Sequence, residues 1–317
     1  FALYLAALLA LLNVRTAYWV IVVVAIAASA ATLYLLRDAL QPPEFGLVAR
    51  AVATSAAFTS VLVTGQNSPL IALALAAGLW TRLRGDDMLP FVFFGCLAVK
   101  PNWLTIFMLY ALIRMHFRGL AFMVAMGVGF VMAALPLGIT DDFLDASLRG
   151  CDILADFPAY KLITLRSFLG VVTESTALWG AALVLLIAGG IYIWRPASQT
   201  PLPRQIAVVV LITITANLYV AFYDGLLIMI PAIVWWSARD TYSSKAAWRI
   251  IGGLIAFIWV WDQAVVSYAS TARSLDLFDA GTPLFSLVGP ALALWVLVEA
   301  FDIRVGLRAG RRVERAA

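Results

Sequence analysis

Long apolar runs separated by short polar stretches dominate this chain. The runs cover Phe1–Leu12, Ala17–Leu36, Pro69–Trp80, Met88–Val99, Trp103–Ile113, Leu120–Leu137, Ala177–Trp194, Ile206–Phe222, Gly225–Trp236, Ile250–Ser270 and Pro283–Ala300. A helix that crosses the hydrocarbon of a bilayer needs about 20 apolar residues. Several runs are shorter and would cross only with tilt or local thinning. Leu47–Thr64 is ambiguous: rich in Ala, Ser and Thr, with Arg50 inside, it reads as a short or re-entrant helix. The pattern predicts an all-α, polytopic integral membrane protein with about 10–12 transmembrane helices.

Composition supports that reading. Of 317 residues, 63% are hydrophobic and 13% charged, and the mean hydropathy is +0.95. Soluble domains are about half apolar and about a quarter charged. Lipid can act as solvent for such a chain because a helix satisfies its own backbone hydrogen bonds. No stretch is long enough for a separate soluble domain, so residues 1–317 read as one transmembrane domain. Phe1 opens directly on an apolar run without Met or a charged leader, which leads us to expect further sequence before it.

Basic residues set an orientation. With the basic tail of residues 301–317 (Arg304, Arg308, Arg311, Arg312, Arg315) placed in the cytoplasm, alternation puts four more basic turns on that side. These carry Arg239/Lys245/Arg249, Arg195/Arg204, Arg114/Arg118 and Arg82/Arg84. The opposite face over the same stretch has only Lys100, Arg149, Lys161, Arg166 and Arg273. The bias weakens before Gln66, where Arg15, Arg37 and Arg50 do not assign cleanly. The charge surplus of +4 is therefore topological and does not indicate nucleic acid. The partners implied are membrane lipids.

Four polar features fall on the non-cytoplasmic face. Gly65-Gln66-Asn67 precedes Ser68-Pro69, a pattern that also suits a helix start. That reading leaves Gln66 unexplained, an amide suited to sugar hydroxyls. Lys100-Pro101-Asn102 interrupts a run that is otherwise apolar from Met88 to Ile113. A snorkelling lysine is one account. A backbone break beside an ionisable residue at membrane depth is a functional signal, and Lys100 suits a lipid phosphate. Tyr223-Asp224 reads either as an interfacial Tyr with an N-cap or as a carboxylate at the rim of an outward cavity. The loop Ile139–Thr176 carries Asp141, Asp142, Asp145, Asp152, Asp156 and Glu174. Arg166 closes it, as a solvated charge or as a bidentate phosphate ligand.

Other signals are bland or missing. Asp262, beside Trp259 and Trp261, reads as a residue reaching the outer headgroups from an aromatic belt. His116, on the cytoplasmic side, reads as a surface residue. Cys96 and Cys151 make neither a disulfide framework nor a metal site. There is no phosphate-cradling Gly-x-x-x-x-Gly-Lys loop and no His/Cys metal cluster, so no metal-ligating residue is singled out and nothing points to nucleotide hydrolysis or a redox centre.

The order Gly65-Gln66-Asn67, a span, the basic turn Arg82–Arg84, Ala98-Val99-Lys100-Pro101 and another span resembles glycosyltransferase family 87. Leu165-Arg166-Ser167 and Tyr223-Asp224 with Pro231 fit the same pattern, over roughly Phe1 to Trp236. The resemblance implies a GT-C-type fold and a bacterial plasma-membrane, cell-envelope transferase. It implies a polyprenyl-phosphate sugar, mannose, as donor and a lipid or glycan as acceptor. The catalytic Asp of such enzymes lies in a first outer loop, placed here before residue 1. Lys100 and Arg166 then hold the donor phosphate, and Gln66, Asn67, Tyr223 and Asp224 bind sugar or shape the site. A transporter or lipid flippase of similar topology is the alternative, and a non-catalytic membrane scaffold a third.

Overall fold

The computed structural model describes residues 12–64, 66–134, 163–172, 176–196, 200–217, 220, 222–274 and 287–316. The first apolar run, most of the acidic loop with Cys151 and Lys161, and Gly65 lie outside them. Every regular element among the described residues is helical.

The helices are α1 (Val14–Leu40), α2 (Phe45–Ala53), α3 (Ala56–Thr64), α4 (Ser68–Leu83), α5 (Leu89–Gly95), α6 (Pro101–Ile113) and α7 (Phe117–Ala134), followed by α8 (Leu165–Val172), α9 (Thr176–Trp194), α10 (Leu202–Ala216), α11 (Met229–Ser237), α12 (Lys245–Ser274) and α13 (Val288–Ala316). Short 3-10 turns occupy Cys96–Val99, Phe222–Ile228 and Arg239–Thr241. Among the described residues, Val14–Leu40, Ala177–Trp194 and Lys245–Val265 are long and apolar enough to cross a membrane alone. Shorter apolar helices of 10–17 residues include Ser68–Leu83, Trp103–Ile113 and Leu202–Ala216. The protein is an all-α polytopic membrane protein.

The chain divides into two compact units, Phe1–Ala39 with Thr59–Phe157 and Leu40–Phe58 with Pro158–Ala317. In the first, α4 and α5 form an antiparallel hairpin. Its turn holds Gly85 at φ +87°, a conformation that costs glycine little. Asp86 accepts from the Met88 and Leu89 N–H groups at 2.9 and 2.8 Å, satisfying donors at the start of α5. The aromatic rings of α5 then seat on glycines. Phe94 fills the space over Gly78 of α4, and Phe91 the space over Gly119 of α7. Missing side chains let helix axes approach closely where lipid supplies no hydrophobic drive.

The hairpin also orients α1. Asp38 near its end accepts from Trp80 Nε1 at 2.5 Å and from Arg84 at 2.7 Å. The end of α1 therefore lies beside the basic turn Arg82–Arg84, and the start of α4 is at the opposite end of the hairpin. The stretch Leu47–Thr64 is helical on either side of a break, as α2 and α3, a pair bent by 48°.

In the second unit α10 is the hub. Every residue from Arg204 to Thr215 is buried, as expected of a helix covered on all sides. Thr213 and Thr215 donate to the carbonyls of Val209 and Leu211, at 2.7 and 2.8 Å. Around α10 pack α9, α11 and α13. The break between α2 and α3 is satisfied from α12. Gln263 Nε2 donates to the Thr54 carbonyl at 3.2 Å, and the Asp262 carboxylate accepts from the Ala57 N–H. Inside a membrane such freed groups need protein partners. Asp262, expected to reach outer headgroups, instead faces this break.

The other end of the second unit holds a buried charge cluster. Arg204, Glu299 and Asp302 are 2%, 3% and 0% exposed. Arg204 bonds Glu299 at 2.5 Å and Asp302 at 3.0 Å, and donates to the Thr241 carbonyl. Its guanidinium stacks on Tyr242 at 3.8 Å. The stretch beyond residue 300 is thus the continuation of α13, with Asp302 and Ile303 buried.

Candidate functional site

The polar end of the first unit is built from two helix starts. Pro69 lies in the first turn of α4 and Pro101 in that of α6. Proline suits this position because its missing N–H has no intrahelical partner to lose. Asn67 sits at the N-cap position of α4, yet its side chain makes no cap bond. Its Oδ1 is buried and without a hydrogen-bond partner among the described residues. The helix-start reading therefore accounts for the backbone of Asn67, whose carbonyl accepts from Leu70 and Ile71, and leaves the side-chain Oδ1 over.

Lys100 has an extended backbone, φ −124° and ψ 87°, between the 3-10 turn Cys96–Val99 and α6. It is half-buried and engaged by a neighbouring group. A cation beside unsatisfied N–H groups of a helix start is a ready anion site. Three residues on, Trp103 is 0% exposed and its Nε1 has no partner among the described residues. Because α4 and α5 run antiparallel, the start of α4 and the start of α6 share one end of the hairpin. That end collects Gln66, Asn67, Lys100 and Trp103. Trp103 was not singled out in the sequence, where an indole in an apolar run is ordinary packing.

The second unit carries the remaining candidates. Tyr223 and Asp224 lie in the 3-10 turn Phe222–Ile228, rather than at an α-helix N-cap. Asp224 is 1% exposed and engaged within the protein, where a rim position was expected. Arg166, in the first turn of α8, is exposed, its guanidinium 6.0 Å from the Trp179 ring centre. The lead-in to α8 is tied to the lead-in to the 3-10 turn: the Ile163 N–H donates to the Val220 carbonyl at 2.9 Å. The Ile163 side chain lies beside Gly225. Gly289 of α13 fixes α8 from behind, since a Cβ there would meet the Thr164 and Leu165 backbone. Arg166 and Asp224 thus sit on joined segments.

His116, on the turn between α6 and α7, packs its ring 5.5 Å from Phe91. Burial, then the nearby Arg82 and Arg114, push its pKa down, so it is a neutral structural ring. Among the described residues, no His, Cys, Asp and Glu group is arranged to hold a metal.

No curated protein and no solved structure matches the chain. One family pattern does, over residues 1–229, and it spans all six candidate site residues and Trp103. The chain belongs to glycosyltransferase family 87.

Proposed function

We infer that this membrane glycosyltransferase takes its sugar, mannose, from a polyprenyl-phosphate donor. The acceptor is a lipid or glycan on the non-cytoplasmic face. The observation that carries the reading is the shared end of α4 and α6. There a half-buried Lys100 meets a helix start, while a buried acceptor (Asn67 Oδ1) and a buried donor (Trp103 Nε1) have no partner among the described residues. Buried polar groups are nearly always paired, and a sugar hydroxyl both donates and accepts. A cation beside such an amide oxygen and indole N–H suits a sugar phosphate better than an inorganic ion.

Transfer then proceeds with inversion. The acceptor oxygen bonds to the anomeric carbon and gives its proton to a carboxylate base. The carbon–oxygen bond to the phosphate breaks, and the departing polyprenyl phosphate keeps the electron pair. The Lys100 ammonium offsets that developing charge. In the second unit Arg166, an exposed cation, and the buried Asp224 lie on joined segments and are the further candidates for phosphate and sugar. A lipid-borne donor reaches the outer face without a nucleotide, in keeping with the lack of a phosphate-cradling loop.

The test is sugar transfer by membranes containing the gene's full-length product. Labelled polyprenyl-phosphate mannose and labelled GDP-mannose are supplied side by side. Transfer is expected from the lipid donor only. Lys100→Ala should slow it by about 100-fold, the size of effect seen when one charge-stabilising donor is removed. Transfer from GDP-mannose, or an unimpaired Lys100→Ala, would overturn the assignment. Movement of lipid-linked sugar across the membrane with no transfer would favour the flippase instead.

A further inference from the structure

The second unit contains a cavity of about 380 Å³ that none of the candidate residues above lines directly. Its walls come from α2, α11, α12, the α2–α3 break and the part of the 3-10 turn after Asp224. Both departures from α-helical backbone in this region line it, at Ser55 and at Gly225. Irregular backbone at membrane depth occurs where it is buried in protein or borders a cavity. Here two such segments converge on the same one.

The lining is apolar except for Asp262 and Ser55. The Ser55 hydroxyl is used locally, donating to the Val52 carbonyl at 2.8 Å. Asp262 accepts from the Ala57 N–H, and a carboxylate has room for several such bonds. An ionisable side chain inside a membrane helix is a functional signal. Among the described residues, the cavity wall carries no Lys, Arg or His.

Those features select a ligand. The apolar wall fits an alkyl or isoprenoid chain. A carboxylate without a cation disfavours a lipid phosphate, the headgroup of the donor, and favours a hydroxyl that can donate to it. We propose that this cavity binds the lipid portion of a neutral, hydroxyl-bearing acceptor, with Asp262 accepting from its hydroxyl. The proposal rests on the transferase reading above and names the acceptor as lipid-borne. Asp262 and most of α11 and all of α12 lie beyond residues 1–229, so the family match does not assign this site.

The experiment uses full-length protein in phosphatidylcholine nanodiscs. Two photoreactive, alkyne-tagged probes are compared, an isoprenoid alcohol and its monophosphate. The alcohol is expected to label α11 and α12 peptides about tenfold more than the monophosphate, the worth of one charge-assisted hydrogen bond. Asp262→Leu should erase that preference. Ala232→Trp, which fills the cavity and leaves Asp262 and the α2–α3 break intact, should abolish labelling in protein that still elutes as one species. In a parallel transfer assay the alcohol should compete with the acceptor and leave the KM for the donor unchanged.

Equal labelling by both probes, or labelling that survives Ala232→Trp, would mark a bulk lipid on the surface and overturn the proposal. Transfer that persists without cavity labelling would sink the cavity assignment while leaving the transferase reading intact. Labelling without transfer from any lipid-linked sugar would remove the acceptor role and the donor assignment together.

Discussion

Gly78 shows how much one absent side chain can decide. A Cβ built at this position comes within 2.3 Å of the Phe94 ring, far closer than atoms in contact. Phe94 is itself 2% exposed and packs on Phe107 at 4.9 Å between ring centres, so it has little room to give. Gly78→Ala should therefore destabilise by about 1–3 kcal/mol, as overpacking does in dense interiors. The helix propensity of Ala works against that loss by at most about 1 kcal/mol. Thermal unfolding of the purified protein checks the sign. Gly253, with nothing within 4 Å of its Cβ, is the control, where the same change should be neutral or mildly stabilising. Gly78, Gly119 and their rings are far apart in sequence, and nothing local distinguishes them from Gly253.

At the scale of elements, the apolar runs were good guides to where helices lie and poor guides to where they stop being α-helical. Met88–Val99 contains a 3-10 turn at Cys96–Val99, and Gly225–Trp236 begins inside another. Both stay apolar through the change, so hydropathy carries no mark of it. The Leu47–Thr64 break is hidden for a different reason: its partners Asp262 and Gln263 lie some two hundred residues away, on α12. The polar interruptions were legible. Gln66-Asn67 and Lys100-Pro101 do mark helix starts, and antiparallel packing brings those starts to one end. What could not be read was that the Asn67 Oδ1 has no partner among the described residues, because capping and ligand binding call for the same residue types. Caps also carry a pH signature. Backbone N–H donation from Leu89 and then Met88 holds the Asp86 carboxyl below its ordinary 3.8. A depressed folded-state pKa stabilises the fold at pH above the unfolded value. That contribution fades as pH falls through the depressed value. Asp86→Ala should thus melt earlier than wild type at neutral pH. The gap between the two should close on acidification below 3.8, and a gap that persists there would assign Asp86 a role other than capping.

For the molecule as a whole, the Arg204 cluster joins the part of the chain that carries the family pattern to the part beyond it. Arg204 starts α10, within residues 1–229, while Tyr242, Glu299 and Asp302 all follow. The carboxylates are well satisfied. Glu299 accepts from Tyr242 at 2.5 Å, and Asp302 accepts from the Ser243 and Ser244 N–H groups at 3.2 and 2.8 Å. Burial, then Glu299, raises the Tyr242 pKa far above its ordinary value, which keeps its hydroxyl a donor at all working pH. Removing one member of such a buried group strands the rest. Arg204→Met should cost about 3–5 kcal/mol, because two carboxylates then lie buried without a cation. Adding Glu299→Gln should recover part of the loss, since it deletes one stranded charge and keeps an acceptor for Tyr242. Arg204→Lys should fall between, as an ammonium lacks the fork that reaches Glu299, Asp302 and the Thr241 carbonyl together. Thermal midpoints of the four proteins, measured in one detergent, rank these expectations. The same reasoning applies to a piece of the chain ended at residue 229. It keeps every candidate site residue and Arg204, but loses both carboxylates and α13, the helix that packs on α8, α9 and α10. That piece should insert and then aggregate or be degraded, and co-expression of residues 230–317 should restore a stable protein if the cluster is what binds the two parts together.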